Sequence, residues 1–351
     1  GKFMNLAQHL HDAGRDYPNR PALGYGTRLL YDYAALAGRV ARLAAGLREE
    51  CALAPGDRVA IISTNTPEYL EALYAIWHAG CVGVPANAKL HPSELAYILE
   101  HSGARVCFAS SDLATAIEAH APPALERLIV FGSATYDRLF QFGVAEVAPC
   151  EADDLAWLFY TSGTTGRPKG VETPPAMFLG GENVAAYVQK LRDARQALGD
   201  RSPVLVVSPL YHTGPLSSVR QLAAGAAVVV LSRFDPEAVL RAIETNRVRS
   251  SVMVPTHFQR LLALPDDARR RYDLSSLVAV SHTGAACPPD VKRRMIDWFG
   301  PVLVEAYGGT EAGSTTFITS PEWLERPGSV GKAQPPFTTV IIGEDGKEAA
   351  P

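Results

Sequence analysis

The chain has 351 residues, 47% hydrophobic and 20% charged, with a formal net charge of −4. That is the composition of a globular protein with a large core and more than one lobe, and with no basic run or basic amphipathic face it argues against nucleic acid or an anionic membrane as a partner. The longest apolar stretch, Leu222 to Leu231, is broken by Gly225 and falls far short of the ~20 residues of a membrane helix; no secretory signal is read either, so a cytoplasmic location is expected.

In chain order, Arg58 to Ser63 reads as a buried strand. Pro67 to Ala79 reads as a helix with Thr66 as its N-cap and Pro67 at its first position. Cys81 to Pro85 is strand-like, and Pro92 to His101 is a helix that stops before Gly103. Arg105 to Ala109 and Arg127 to Phe131 are further strands. Phe140 to Asp154 is acidic and irregular and marks a soft boundary. Beyond it, Val204 to Ser208, Ala227 to Leu231, Ser251 to Val254, Val278 to Ser281 and Val302 to Glu305 read as strands with helices between. Asp235-Pro236-Glu237 reads as the N-cap and first turn of one of these helices.

Strands apolar on both faces and joined by helices predict parallel pairing. The expected fold class is α/β, with stacked, mostly parallel β-sheets flanked by helices. Residues 1–150 are read as a first α/β subdomain and residues 151–330 as a second. Residues 331–351 change character, being rich in Pro and Gly. They carry a strand-like Thr338 to Ile342 and hairpin chemistry at Gly343-Glu344-Asp345-Gly346, and are read as the start of a small β-subdomain. The return strand is not reached by Pro351, so a truncated polypeptide is expected.

Five cysteines (Cys51, Cys81, Cys107, Cys150 and Cys287) are far apart and form no CxxC pair, which reads as reduced thiols in a core. The histidines show no metal-ligand spacing of the HExxH kind.

The segment Tyr160-Thr161-Ser162-Gly163-Thr164-Thr165-Gly166-Arg167-Pro168-Lys169-Gly170 follows the apolar run Leu155 to Phe159. Its glycines let the backbone turn N–H groups inward, its hydroxyls add neutral donors, and Arg167 and Lys169 add charge. That combination suits a polyphosphate. A Walker-type loop fails on spacing, because Arg167 and Pro168 separate Gly166 from Lys169 and Pro168 disfavours a helix at Arg167.

Thr161 to Val171 resembles the signature loop of the adenylate-forming superfamily, which holds acyl-CoA synthetases, aryl-CoA ligases, peptide-synthetase adenylation domains and beetle luciferases. Other segments resemble its later motifs in order. They are Ser208-Pro209-Leu210-Tyr211-His212-Thr213-Gly214, Phe234-Asp235-Pro236-Glu237, Val254-Pro255-Thr256-His257-Phe258, Thr283-Gly284-Ala285-Ala286-Cys287-Pro288 and Glu305-Ala306-Tyr307-Gly308-Gly309-Thr310-Glu311. The resemblance spans most of the chain and implies the αβαβα-type large N-terminal domain of that superfamily.

It also implies a site. Thr161, Ser162, Gly163, Thr164, Thr165, Gly166 and Lys169 would hold the β- and γ-phosphates of ATP. Thr310 would contact the α-phosphate, and Glu311 would bind Mg²⁺, a hard cation suited to a carboxylate. Tyr307 would stack on adenine opposite a wall of Gly284, Ala285 and Ala286, with Glu305, Ala306 and Gly308 beside it. His212 would lie beside the reacting acid and the thiol tunnel. The catalytic set implied is Lys169, Thr310, Glu311 and His212. The partners implied are a small-molecule acid, ATP and coenzyme A, with oligomeric state left open.

Two departures stand out. Glu172-Thr173-Pro174-Pro175-Ala176 replaces the family's frequent Thr-His after the lysine, with a helix start expected near Ala176. The family's ribose-binding aspartate and its small C-terminal lid domain with the adenylation lysine are not reached, so little turnover is expected of this polypeptide. The phrasing around Pro209, Val254 and Ala285 resembles fatty-acyl and bile-acid-type CoA ligases, implying an aliphatic, aryl or polycyclic acid. One alternative is a diazo-forming enzyme that activates nitrite for attack by an aryl amine. Another is a non-catalytic nucleotide-binding module. An amino-acid adenylation domain is disfavoured because Thr213 to Leu222 lacks an acid. A luciferase-like oxygenase shares the motifs and is given little weight.

Overall fold

The computed structural model describes residues 5–151, 154, 156–161, 167–173, 184–197, 203–212, 218–282, 286–309, 313–327 and 332–333. The strands of its first half are β1 (Pro21–Tyr25), β2 (Arg28–Asp32), β3 (Arg58–Ile62), β4 (Val82–Pro85), β5 (Val106–Ala109), β6 (Arg127–Val130), β7 (Trp157–Thr161) and β8 (Lys169–Thr173). Those of the second half are β9 (Val204–Val206), β10 (Val228–Val230), β11 (Ser250–Met253), β12 (Ala279–His282), β13 (Leu303–Gly309), β14 (Gly313–Thr319) and β15 (Lys332–Ala333).

Among the described residues these strands form two sheets. The larger runs β15–β14–β13–β12–β11–β9–β10–β1–β2, and the smaller runs β6–β5–β3–β4–β7–β8. Pairing is parallel from β13 to β1 in the larger sheet and from β6 to β7 in the smaller. Antiparallel pairs occur at the margins, where β2, β14, β15 and β8 join. The interior strands are apolar on both faces, as in the fully buried β4, β5, β9 and β10, and so need a layer on each side.

Sheet membership crosses residue 150. The hairpin β1–β2 belongs to the larger sheet with β9 to β15, while β7 and β8 belong to the smaller with β3 to β6. The helix Pro67–His78 packs against β4 of the smaller sheet and β1 of the larger. Every residue of it except Glu68 is buried, which is why its sequence is apolar on nearly all sides. Its one buried carboxylate, Glu71, accepts hydrogen bonds from Arg39 Nε (2.5 Å), Arg39 Nη2 (3.0 Å) and the Tyr136 hydroxyl (2.6 Å). That set of donors is what a buried charge requires. Gly46 marks another close approach, because a Cβ there would lie 2.1 Å from the Leu139 carbonyl oxygen.

Both expected N-caps are in place, but neither makes a side-chain bond. Thr66 occupies the N-cap of Pro67–His78, but its hydroxyl makes no capping bond and is buried without a partner. Asp235 precedes the helix Pro236–Asn246, also without a side-chain capping bond. In both cases Pro stands at the first helical position, where its fixed φ sets the helix start and its missing N–H leaves nothing unpaired. By contrast, Pro92–Ser102 ends at Gly103 with φ 68°, the left-handed conformation that glycine adopts freely. The five cysteines are free. Burial pushes the Cys81 and Cys107 thiols up to about 12, so they are protonated core groups at neutral pH. The helix start near Ala176, the strand Thr338 to Ile342 and the Gly343–Gly346 turn lie outside the described residues.

Candidate active site

The phosphate-type loop connects β7 to β8, which pair antiparallel with Thr161 opposite Lys169 and Tyr160 opposite Gly170. Its two ends are therefore held side by side in the smaller sheet. Lys169 is exposed, whereas Ser162, Gly163, Thr164, Thr165 and Gly166 lie outside the described residues. The loop's second arm is anchored on the helix Pro92–Ser102. Pro168 is buried, and the Arg167 guanidinium lies 4.8 Å from the Tyr97 ring centroid. His101 Nδ1 and the Tyr160 hydroxyl share a hydrogen bond of 2.7 Å. Arg167 thus stacks on an aromatic face, a cation–π contact that residue spacing did not suggest.

The second segment is the turn after β9. The His212 N–H donates to the Pro209 carbonyl oxygen (3.1 Å), and the imidazole lies 4.6 Å from the Tyr211 ring. His212 as a residue is exposed, yet its surroundings still disfavour the charged form. Burial is the larger cause of its lowered pKa and the Lys89 charge the second. The neutral imidazole therefore predominates at pH 7, able to accept a hydrogen bond at one nitrogen and donate at the other.

The third segment follows β12 and continues through β13. Gly284 and Ala285 lie outside the described residues, and Ala286 is exposed. His282 pairs with Glu305 in the β12–β13 register. Ala306, Tyr307 and Gly308 belong to β13, whose register with β14 shifts between Tyr307 and Gly308. Thr310 and Glu311 lie outside the described residues. The Glu305 carboxylate accepts from Lys292 Nζ at 2.9 Å. Lys292 is only 1% exposed at its side chain, and its ammonium lies 4.7 Å from the Trp323 ring centroid. Burial lowers the Lys292 pKa while Glu305 opposes the shift. His282 beside them is fully buried with neither ring nitrogen hydrogen-bonded, and burial, then Lys292, pushes it down to about 3. Glu305 thus spends its charge on Lys292.

Topology decides where these segments lie. β9 and β12 run parallel in one sheet, so the His212 turn and the carboxyl end of β12 lie at the same edge. β3, β4 and β7 run parallel in the other, so Asn65, Lys89 and the phosphate-type loop leave from one edge of that sheet. Asn65 joins the two edges: its Nδ2 donates to the Ser208 carbonyl oxygen, and its Oδ1 accepts from the Leu210 N–H, both at 2.8 Å. The three segments therefore share one rim outside the carboxyl ends of parallel strands, where open α/β sheets bind ligands. Among the described residues no group of three or more His, Cys, Asp or Glu could hold a metal ion. The exposed Lys169 cation beside a Gly/Ser/Thr loop fits a polyphosphate, and the carboxylate Glu311 is a donor of the type Mg²⁺ takes.

Asn65 and Lys292 were not found from sequence. Lys292 had a signal: it stands with Met295, Ile296 and Phe299 on the apolar face of the helix Pro289–Phe299, where a lysine is out of place unless paired. Asn65 had none, since an asparagine between two threonines reads as an ordinary turn residue.

Two mostly parallel sheets, with the β7–β8 hairpin at the margin of the smaller, define an α/β protein of the adenylate-forming architecture. The chain belongs to the AMP-binding enzyme family, whose match covers residues 10–351. It is 37% identical over 339 residues to a feruloyl-CoA synthase from an Amycolatopsis species, a match covering 95% of this chain and 65% of that protein. The chain thus spans about two thirds of that relative's length. The N-terminal domain of FACL13 from Mycobacterium tuberculosis shares the fold with a TM-score of 0.82 at 24% identity, covering 98% of this chain and 86% of that one. The o-succinylbenzoate CoA synthetase of Bacillus subtilis, solved with its acyl-adenylate intermediate, superimposes with a TM-score of 0.77 at 25% identity, covering 98% of this chain and 67% of that one.

Proposed function

We propose that this chain forms the nucleotide and acid site of a cytoplasmic, ATP-dependent acid–thiol ligase. In the first half-reaction a carboxylate oxygen attacks the α-phosphorus of ATP and the bond to pyrophosphate breaks. In the second, the sulfur of coenzyme A attacks the acyl carbon and AMP departs. The loop Thr161 to Gly166 with Lys169 would neutralise the departing pyrophosphate, and Thr310 would face the α-phosphate. Mg²⁺ on Glu311 would supply further charge neutralisation when bound. Gly284, Ala285 and Ala286 would wall the adenine, with Ala306, Tyr307 and Gly308 opposite. His212 would line the acid.

The observation that carries this reading is the shared rim. The Lys169 hairpin, the His212 turn and the ends of β12 and β13 leave the carboxyl ends of two sheets joined by Asn65. The feruloyl-CoA synthase relative turns the acid expectation toward an aryl-substituted carboxylic acid. The two sheets would act as the two subdomains, each borrowing one hairpin across residue 150. The test is a pyrophosphate-release screen with Mg-ATP over aryl, fatty and polycyclic acids and nitrite, with and without coenzyme A. Release stimulated by an aryl acid supports the reading. ATP binding that no acid alters, with no release, would instead indicate a nucleotide-binding module.

A further inference from the structure

The adenylation reading assigns no role to Asn65. It follows β3 in the smaller sheet, and it is 4% exposed. Its amide bonds to the Ser208 carbonyl oxygen and the Leu210 N–H, one acceptor and one donor of a turn that leaves the larger sheet. It thereby treats the turn as a neighbouring strand would, satisfying both backbone groups at once. Ser208 and Leu210 are themselves buried, so water offers no substitute.

Nearby hydroxyls do not share the task. Thr66 Oγ1, Tyr69 Oη and Ser208 Oγ are buried with no hydrogen-bond partner. Within the turn, the His212 N–H bond to Pro209 is local and sets its curvature, not its place against the other sheet. Asn65 is therefore the directional contact, among the described residues, that fixes this turn across the gap between the sheets.

We propose that Asn65 is the positioning residue of the acid subsite: its amide fixes the Ser208–Leu210 turn and, through it, the place of the His212 side chain. The proposal rests on the reading of His212 as a wall of the acid site. It also makes that wall a joint product of both sheets, so a relative movement of the sheets is transmitted to the bound acid.

The test uses the 351-residue chain, Asn65→Leu, which removes both bonds at similar volume, and Asn65→Asp, which keeps the acceptor for Leu210. Histidine-labelled protein, with His212→Gln assigning the signal, reports the ring by NMR, and hydrogen exchange reports the Leu210 amide. In Asn65→Leu the Leu210 amide should lose about tenfold or more of its protection. The His212 ring signals should move, and their titration midpoint should rise as the ring leaves its burial and the Lys89 charge. Mg-ATP affinity should change by less than about twofold, because the phosphate loop is carried by a different hairpin. Asn65→Asp should keep Leu210 protection while still moving the His212 signals.

If Asn65→Leu fails to fold, Asn65→Asp and the wild-type Leu210 exchange rate still decide: unprotected Leu210 in the wild type overturns the clamp. Unchanged His212 signals in a folded Asn65→Leu variant overturn it as well. Failure of the acid-site reading is seen separately, as wild-type His212 signals that do not move when ferulate and Mg-ATP are added.

Discussion

Replacing Lys292 with methionine should destabilise the chain far more than a surface lysine change would. Lys292 Nζ stands 2.9 Å from Glu305 Oε2, with side-chain exposures of 1% and 14%. At that separation the attraction is about 6 kcal/mol for an effective dielectric of about 20, and it offsets the cost of stripping both charges of water. Lys292→Met deletes the attraction and leaves the Glu305 carboxylate in the same dry place, a cost of about 3–5 kcal/mol. The double change Lys292→Met with Glu305→Leu removes both charges, and should recover stability to within about 1 kcal/mol of wild type or exceed it. Guanidinium unfolding at pH 7 of the four proteins in the cycle measures the coupling. A Lys292→Met loss below about 1 kcal/mol, with a coupling energy near zero, would refute the burial argument.

The buried histidines make stability pH-dependent. His78 is held down to about 4 and His282 to about 3, chiefly by burial, against about 6.5 in the unfolded chain. Between those values the unfolded state binds protons that the folded state does not. Stability is thus complete above pH 6.5 and falls with acid, by about 3 kcal/mol for each of the two by pH 4. His282→Leu should flatten that slope between pH 6.5 and 4, and an unchanged slope would contradict the assignment. Gly46→Ala should cost about 3 kcal/mol or more, because the new Cβ would lie 2.1 Å from the Leu139 carbonyl oxygen. Gly38→Ala in the same helix meets only the flexible end of Arg42 at 3.3 Å, and should instead stabilise by up to about 1 kcal/mol in thermal unfolding.

The strands that carry the site were legible because they are continuous apolar runs. β3, β4, β5 and β6 and β9 to β13 fall within a residue or two of their expected starts. β13 alone continues well past its expected end, through Tyr307 to Gly309. The hairpin β1–β2 was not legible: β2 is an edge strand with no buried residue, and its sequence shows no burial period. Nor does a strand's sequence say which sheet it joins. The acidic stretch before Asp154 reads as a boundary, yet β7 just beyond it pairs with β4. Thr66 and Asp235 hold the N-cap positions expected of them but make no side-chain bond, whereas His91, also followed by proline, accepts from the Ser93 N–H, so residue type and position alone do not tell whether the bond forms. For the site, the order of the segments and the chemistry of the loop were readable. The supports were not, because Asn65 and Lys292 each act on a partner supplied by another element, and no local pattern encodes such a partner.

The measurement closest to the central claim is pyrophosphate release from Mg-ATP in the presence of an aryl carboxylic acid, by the wild-type chain, Lys169→Ala and Glu311→Ala. The account predicts slow but acid-dependent release by wild type, in keeping with the little turnover expected of this polypeptide, and a further loss of about 10²–10³-fold in each variant, the scale of removing one preorganised charge from a transition state. Equal release by all three proteins, or release indifferent to the acid, would contradict it.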